Sequence, residues 1–251
     1  MIIDTHAHIF SEYYENIEQV INLCQEQNVK YIVNAGVNQA SNEECLKIAN
    51  QFDCVYAVLG IHPEYAEDYT LEDLKYIENH LSNKKVLGIG EIGLDYHYEN
   101  YNKEKQIELF NLQLALAEKY NVPVVIHSRE STEDTINILK KYHVKGIIHS
   151  FSGSKEVANI YIKMGFKLGI NGVITFKNAK LKDVVKEIGI EHFVLETDSP
   201  YLTPVPKRGH QNFPYYLTYV ISFLEELLNT TQEDLLKIIN TNVYTVFDKL
   251  T

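Results

Sequence analysis

Short apolar, β-branched runs alternate with longer segments of helical period from one end of the chain to the other. The runs predict strands over Ile2–His8, Tyr31–Ala35, Val55–Gly60, Val86–Glu91, Val122–His127, Gly146–His149, Phe166–Ile170 and Phe193–Asp198. Most are nearly continuous in apolar residues, the pattern of parallel strands buried on both faces. Between them the spacing predicts helices, among them Tyr13–Gln27, Leu71–Leu81, Lys103–Lys119, Thr132–Tyr142 and Lys155–Met164. End signals agree with these limits. Ser131 precedes acidic Glu133 and Asp134, Ser154 precedes another helix, and Gly165 and Gly189 stand where left-handed caps belong. Thr230-Thr231-Gln232-Glu233 has the capping-box pattern ahead of a last helix ending near Phe247.

Eight strand–helix units in 251 residues predict an α/β fold, a single (β/α)8 barrel of the TIM type over residues 1–251 with an extra C-terminal helix. A doubly wound open sheet is the alternative. No Pro/Ser-rich linker, low-complexity tract or charge block divides the chain, and the strand–helix period carries no sequence self-similarity.

Composition narrows the function. With 45% hydrophobic and 23% charged residues, the chain has the make-up of a globular domain with a sizeable core. No apolar run reaches the roughly 20 residues that span a membrane. The opening Met1-Ile2-Ile3-Asp4-Thr5-His6 lacks the basic and apolar regions of a signal peptide, so a cytoplasmic location is expected. Cys24, Cys45 and Cys54 are too few and scattered for a disulfide framework or zinc knuckle, and are expected as buried, reduced thiols. A net charge of −11 argues against broad, sequence-independent binding of nucleic acid. It leaves room for a small phosphodiester site, because bound divalent cations bring their own local charge.

The candidate chemistry sits on the strand ends, which in a barrel form the active face. The first predicted strand ends in His6 and His8, the fourth in Glu91, the fifth in His127, the sixth in His149 and the eighth in Asp198. Two histidines at i, i+2 on a strand project to one face and can grip one cation. Imidazole and carboxylate suit zinc, manganese or iron, and carboxylate also suits magnesium. Six such groups point to two cations with a shared carboxylate. A lone His-x-His pair is weak evidence. Here, however, His6, His8, His62, His127 and His149 all fall at predicted strand ends, whereas His80, His97, His143, His192 and His210 fall in helices or loops.

These residues lie in motifs that resemble the TatD family of metal-dependent deoxyribonucleases, within the amidohydrolase-like barrel superfamily. The stretches are Asp4-Thr5-His6-Ala7-His8, Gly60-Ile61-His62-Pro63, Gly88-Ile89-Gly90-Glu91-Ile92-Gly93-Leu94-Asp95-Tyr96, Pro123-Val124-Val125-Ile126-His127-Ser128-Arg129, His149-Ser150-Phe151-Ser152-Gly153 and Glu196-Thr197-Asp198-Ser199-Pro200-Tyr201-Leu202. All six occur in order and cover the chain almost end to end. The resemblance implies two divalent cations (Zn, Mg or Mn), one held by His6, His8, Glu91 and Asp198, the other by Glu91, His127 and His149. Glu91 would be the bridge, where related enzymes use a carboxylated lysine. It further implies hydrolysis of DNA, 3′–5′ exonuclease-like, by a hydroxide between the cations, on single-stranded or frayed ends. Asp198 is assigned as the group that orients the water and accepts its proton.

Other residues are less determined. Arg129 is the best candidate to hold the substrate phosphate, the alternative being a salt bridge to Glu91, Asp95 or Glu130. His62 could contact the phosphate, hydrogen-bond a metal ligand or serve only the strand end, and is not assigned as a ligand. Of 18 tyrosines, Tyr96, Tyr98, Tyr101 and Tyr201 follow site motifs and could stack bases, while most of the rest are packing residues. Where the family has a basic loop near Arg-Gly-Lys-Arg-Asn-Glu-Pro, this chain reads Arg208-Gly209-His210-Gln211-Asn212-Phe213-Pro214, which bears on DNA affinity. An amidase, deacylase or lactonase acting on a small molecule or aminoacyl-tRNA would use the same ligands. A non-catalytic metal-binding scaffold is a third reading, and the intact ligand set speaks against it.

Overall fold

A computed structural model of the chain describes residues 1–250. It contains eight strands: β1 (Ile2–Ala7), β2 (Val29–Ala35), β3 (Val55–Leu59), β4 (Val86–Asp95), β5 (Val124–Arg129), β6 (Gly146–Ile148), β7 (Lys167–Ile170) and β8 (Phe193–Leu195). They pair in parallel in sequence order, and helices follow each one. These are α1 (Ile17–Glu26), α2 (Gln39–Gln51), α3 (Leu71–His80), α4 (Lys103–Tyr120), α5 (Thr132–Leu139), α6 (Lys155–Lys163), α7 (Leu181–Ile188) and α8 (Leu217–Leu228), with α9 (Gln232–Val246) as the extra C-terminal helix. The order β1 to β8 excludes the doubly wound alternative, which requires a reversal of strand order.

The barrel closes without a regular ladder between β8 and β1. An isolated bridge joins Ala7 to Ser199, with the His8 N–H donating to the Ser199 carbonyl at 2.7 Å. The Thr5 hydroxyl donates to the Leu195 carbonyl at 2.9 Å. Asp4, fully buried, accepts from the Thr197 N–H at 2.9 Å and the Thr197 hydroxyl at 2.5 Å. Beyond the short β8, the seam is made by these side chains and by main-chain bonds from the turn that follows it.

Seven strands contribute to one inner cluster, through Ile3, Val33, Val58, Leu87, Val125, Ile147 and Val194. Val243, Val246, Phe247 and Leu250, from α9 and the residues after it, complete that cluster and plug the end of the barrel opposite the site. Lys249 anchors this plug by donating to the carbonyls of Leu81 and Val86. The helices pack on the outer faces of the strands in a second, larger cluster.

Element limits shift in physically interpretable ways. The first helix begins at Ile17 rather than Tyr13, because Asn16 caps it by accepting from the Gln19 N–H. Ser131 does not cap α5; its hydroxyl donates to the Leu94 carbonyl instead. Thr231, not Thr230, caps α9, so the expected pattern is displaced by one residue onto Asp234. Ser154 does cap α6, and Gly165 and Gly189 adopt φ of +88° and +84°. β4 runs four residues past Glu91, to Asp95. No helix is long and apolar enough to cross a membrane, among the described residues.

Candidate metal centre

Local irregularities in the strands aim the candidate residues. On β1 the register against β2 slips between Asp4 and Ala7, so an extra residue enters the strand. Ile3 faces the inner cluster below the slip; above it Ala7 and Ile9 pack outwards, which turns His6 and His8 inwards. On β4 the register against β5 slips between Ile89 and Ile92, and Glu91 sits in that bulge with its N–H donating to the Gly36 carbonyl. At Gly93, φ is +148° and a Cβ would stand 1.9 Å from the His127 carbonyl oxygen, so only glycine lets β4 lie this close to β5. Asp198 has φ of +56°, on a turn held by its N–H to the His6 carbonyl at 2.9 Å.

Four of the other five side chains meet Glu91, whose two oxygens divide them. Glu91 Oε2 lies 3.3 Å from His6 Nε2 and 3.5 Å from His8 Nε2. Those two nitrogens are 3.1 Å apart, and Asp198 Oδ1 lies 3.7 and 3.5 Å from them. Glu91 Oε1 meets His127 Nδ1 at 2.7 Å and stands 3.7 Å from His149 Nε2. His149 Nε2 is also 3.7 Å from Asp198 Oδ1, and its ring stacks on His6, so it borders both groups.

These spacings suit cations. Two donor atoms each about 2.0–2.1 Å from one ion at the tetrahedral angle stand ~3.4 Å apart. The five measured edges among His6, His8, Glu91 and Asp198 run from 3.1 to 3.7 Å. Glu91, His127 and His149 form a second three-donor group.

A further shell of polar residues orients the imidazoles. His8 Nδ1 faces the Ala35 carbonyl at 3.0 Å, His127 Nε2 faces Asp95 Oδ2 at 3.1 Å, and His149 Nδ1 faces Glu196 Oε1 at 3.0 Å. His6 Nδ1 is buried with no hydrogen-bond partner, and the His149 Nδ1–Glu196 Oε1 approach is an ion-pair contact without hydrogen-bond alignment. Glycine at position 169 leaves room for the Glu196 carboxylate where it stands: a Cβ there would lie 2.2 Å from its Oε2. Sequence reasoning left Asp95, Glu196 and Asp4 without roles, although all three lie inside the quoted motifs. The signal available was spacing, Asp4 and Glu196 each standing two residues before a candidate ligand.

The charges are strongly coupled. Burial pushes the Glu91 and Asp198 carboxyls towards the neutral form, but the imidazoles of His149 and His6 outweigh it, joined by His127 for Glu91 and His8 for Asp198. Both carboxyls end below their ordinary range. Reciprocally, despite burial, the carboxylates raise His8 and His149 to about 10 and His127 to about 9. His6 moves down, through burial and then His149.

His62 lies in the same cluster, on a turn just beyond β3, with its Nε2 3.7 Å from Glu91 Oε1. The Glu64 backbone N–H donates to its Nδ1 at 3.3 Å, and an amide can only donate, so the ring proton sits on Nε2. The Glu64 carboxylate is farther from that nitrogen, at 3.5 Å. Burial, then His127, pushes His62 down to about 3, so it stays neutral. It presents an N–H to the cluster, not a lone pair. Arg129 is exposed and makes no ion pair among the described residues; its guanidinium lies over the Tyr98 ring at 5.7 Å. None of the three salt bridges considered for it forms.

Comparison with known proteins gives the chain's family. The family described as TatD related DNase matches residues 3–248. The uncharacterized metal-dependent hydrolase YabD of Bacillus subtilis is 42% identical, over 98% of this chain and 99% of its own. The crystal structure of YjjV, a TatD homolog from Escherichia coli, superposes with a TM-score of 0.93 at 29% identity, covering 98% of both chains. A TatD family hydrolase from Entamoeba histolytica shares the fold, with a TM-score of 0.87 at 22% identity over 98% of this chain and 97% of its own.

Proposed function

The chain belongs to the TatD related DNase family and is a metal-dependent hydrolase of that type, and on that premise we propose that it hydrolyses phosphodiester bonds of DNA at single-stranded or frayed ends. His6, His8, Glu91 and Asp198 would hold one divalent cation, and Glu91, His127 and His149 the other. The observation that carries this is the division of Glu91, with Oε2 towards His6 and His8 and Oε1 towards His127 and His149. A carboxylate so placed could be shared between two divalent cations held by these residues.

When bound, divalent cations acidify water and neutralise charge growing on phosphoryl oxygens. The chain's residues do the rest. Asp198, whose carboxyl lies below its ordinary range in the metal-free protein, orients the attacking water and takes its proton as oxygen bonds to phosphorus and the ester P–O bond breaks, the departing nucleoside oxygen taking a proton from solvent. His62 donates its Nε2–H towards a phosphoryl oxygen, the role its proton position allows. Arg129, with no carboxylate to neutralise it, is free to reach the backbone of the substrate. Buried Asp95 and Glu196 keep the rings of His127 and His149 turned towards Glu91.

The test is a substrate panel. Metal-loaded protein is incubated with end-labelled DNA, RNA and a set of amides and lactones. Stepwise shortening of DNA is expected; intact DNA alongside amide or lactone turnover overturns the reading.

A further inference from the structure

In the segment with the atypical loop sequence, Gln211 and Asn212 are turned onto neighbouring backbone carbonyls. They brace two tyrosines beside the cluster. The Tyr201 ring is 49% exposed, with its centre 6.2 Å from that of His8 and 5.9 Å from that of Tyr13. The Tyr201 hydroxyl donates to that of Tyr13 at 3.0 Å, and the Tyr201 N–H donates to the Asp198 carbonyl at 2.8 Å. Gln211 Nε2 donates to the Tyr13 carbonyl at 2.6 Å. Asn212, fully buried, donates through Nδ2 to the Tyr201 carbonyl at 2.6 Å and the Thr197 carbonyl at 3.0 Å. The neighbouring cation, Arg208, lies over the Phe176 ring at 4.3 Å. Tyr96, by contrast, has its hydroxyl committed to Asp134 and its ring stacked on Tyr101, which makes that pair structural.

We propose that the Tyr13–Tyr201 pair is a stacking shelf for the nucleobase next to the scissile phosphate, held in place by Gln211 and Asn212. The inference rests on the phosphodiesterase reading and adds its base-contacting subsite. A rigid, half-exposed ring close to a ligand imidazole matches the flat face of an unpaired base. Stacking is also indifferent to a chain charge of −11. Loop residues that fix two backbone carbonyls reduce the ordering cost of the shelf on binding.

The test uses single-stranded oligonucleotides ending either in a normal nucleotide or in an abasic one, with the abasic unit placed in turn at the terminal and penultimate positions. Wild-type protein is expected to show a KM on the order of ten-fold lower for the base-bearing end at one of these positions. Tyr201→Leu should lose most of that preference, lowering kcat/KM on the base-bearing substrate far more than on the abasic one. Tyr201→Phe, which keeps the ring, should retain it. Equal losses on both substrates in Tyr201→Leu, or no preference in the wild type at either position, overturn the shelf. Failure of the wild type to cleave any oligonucleotide overturns the phosphodiesterase reading itself, and the shelf with it.

Discussion

The Asp198 backbone N–H donates to the His6 carbonyl at 2.9 Å, so main chain joins the carboxylate at the end of the chain's last strand to the imidazole on its first. Residues 192 positions apart thereby share one four-donor group, with His8 and Glu91 completing it. The seam between β8 and β1 therefore also brings these four side chains together. Asp4 and Thr197 supply its buried hydrogen bonds.

If Asp198 takes the proton of the attacking water, Asp198→Asn should lower kcat by about 10²–10⁴. Circular dichroism should show the fold retained, and elemental analysis separates the loss of the base from loss of a ligand. Undiminished kcat in metal-loaded protein would remove Asp198 from this role.

His62 is expected to bind substrate and not metal. Replacing it with Ala should reduce kcat/KM by about ten- to a hundred-fold, the range for a hydrogen bond to a charged group. Metal content should be unchanged. A fall in bound metal would show that His62 is a ligand after all.

Asp95 and Glu196 act through His127 and His149, on one side of Glu91. Asp95→Asn and Glu196→Gln should each weaken one cation about 10–100-fold while the other is retained. Equilibrium dialysis followed by elemental analysis reads this as selective loss of one equivalent. Parallel loss of both would mean that these residues support the fold rather than one half of the site.

Metal uptake should release protons. In protein stripped of divalent cations, His8, His127 and His149 are raised from 6.5 to about 10, 9 and 10, so at neutral pH each carries a proton that a cation must displace. Apparent affinity should therefore increase with pH from neutrality up to about 10. Calorimetry in buffers of differing ionisation enthalpy measures the protons released. A pH-independent affinity would contradict the protonation scheme.

Much of this was legible in the residues. Apolar runs located all eight strands, because strands buried on both faces leave little room for polar residues. The positions His6, His8, Glu91, His127, His149 and Asp198 followed from polar groups at the ends of such runs. Two kinds of feature were not legible. The slips at Thr5–His6 and at Gly90–Glu91 decide which way side chains point, and depend on pairing with a neighbouring strand. The partners of His127 and His149, Asp95 and Glu196, require knowing which buried carboxylate meets which ring. Tyr13 was hidden for a similar reason: it reads as the start of a helix, yet it lies in the loop before Asn16 and meets Tyr201, 188 residues away.

The central claim is that Glu91 joins two cations in one phosphodiester-cleaving site. The most direct measurement is a titration of stripped protein with manganese or zinc, following bound metal and shortening of a 5′-labelled single-stranded oligonucleotide in the same samples. The account predicts two equivalents bound per chain and cleavage that reaches its full rate only as the second binds. Full cleavage at one equivalent, or an intact oligonucleotide with both bound, would contradict it.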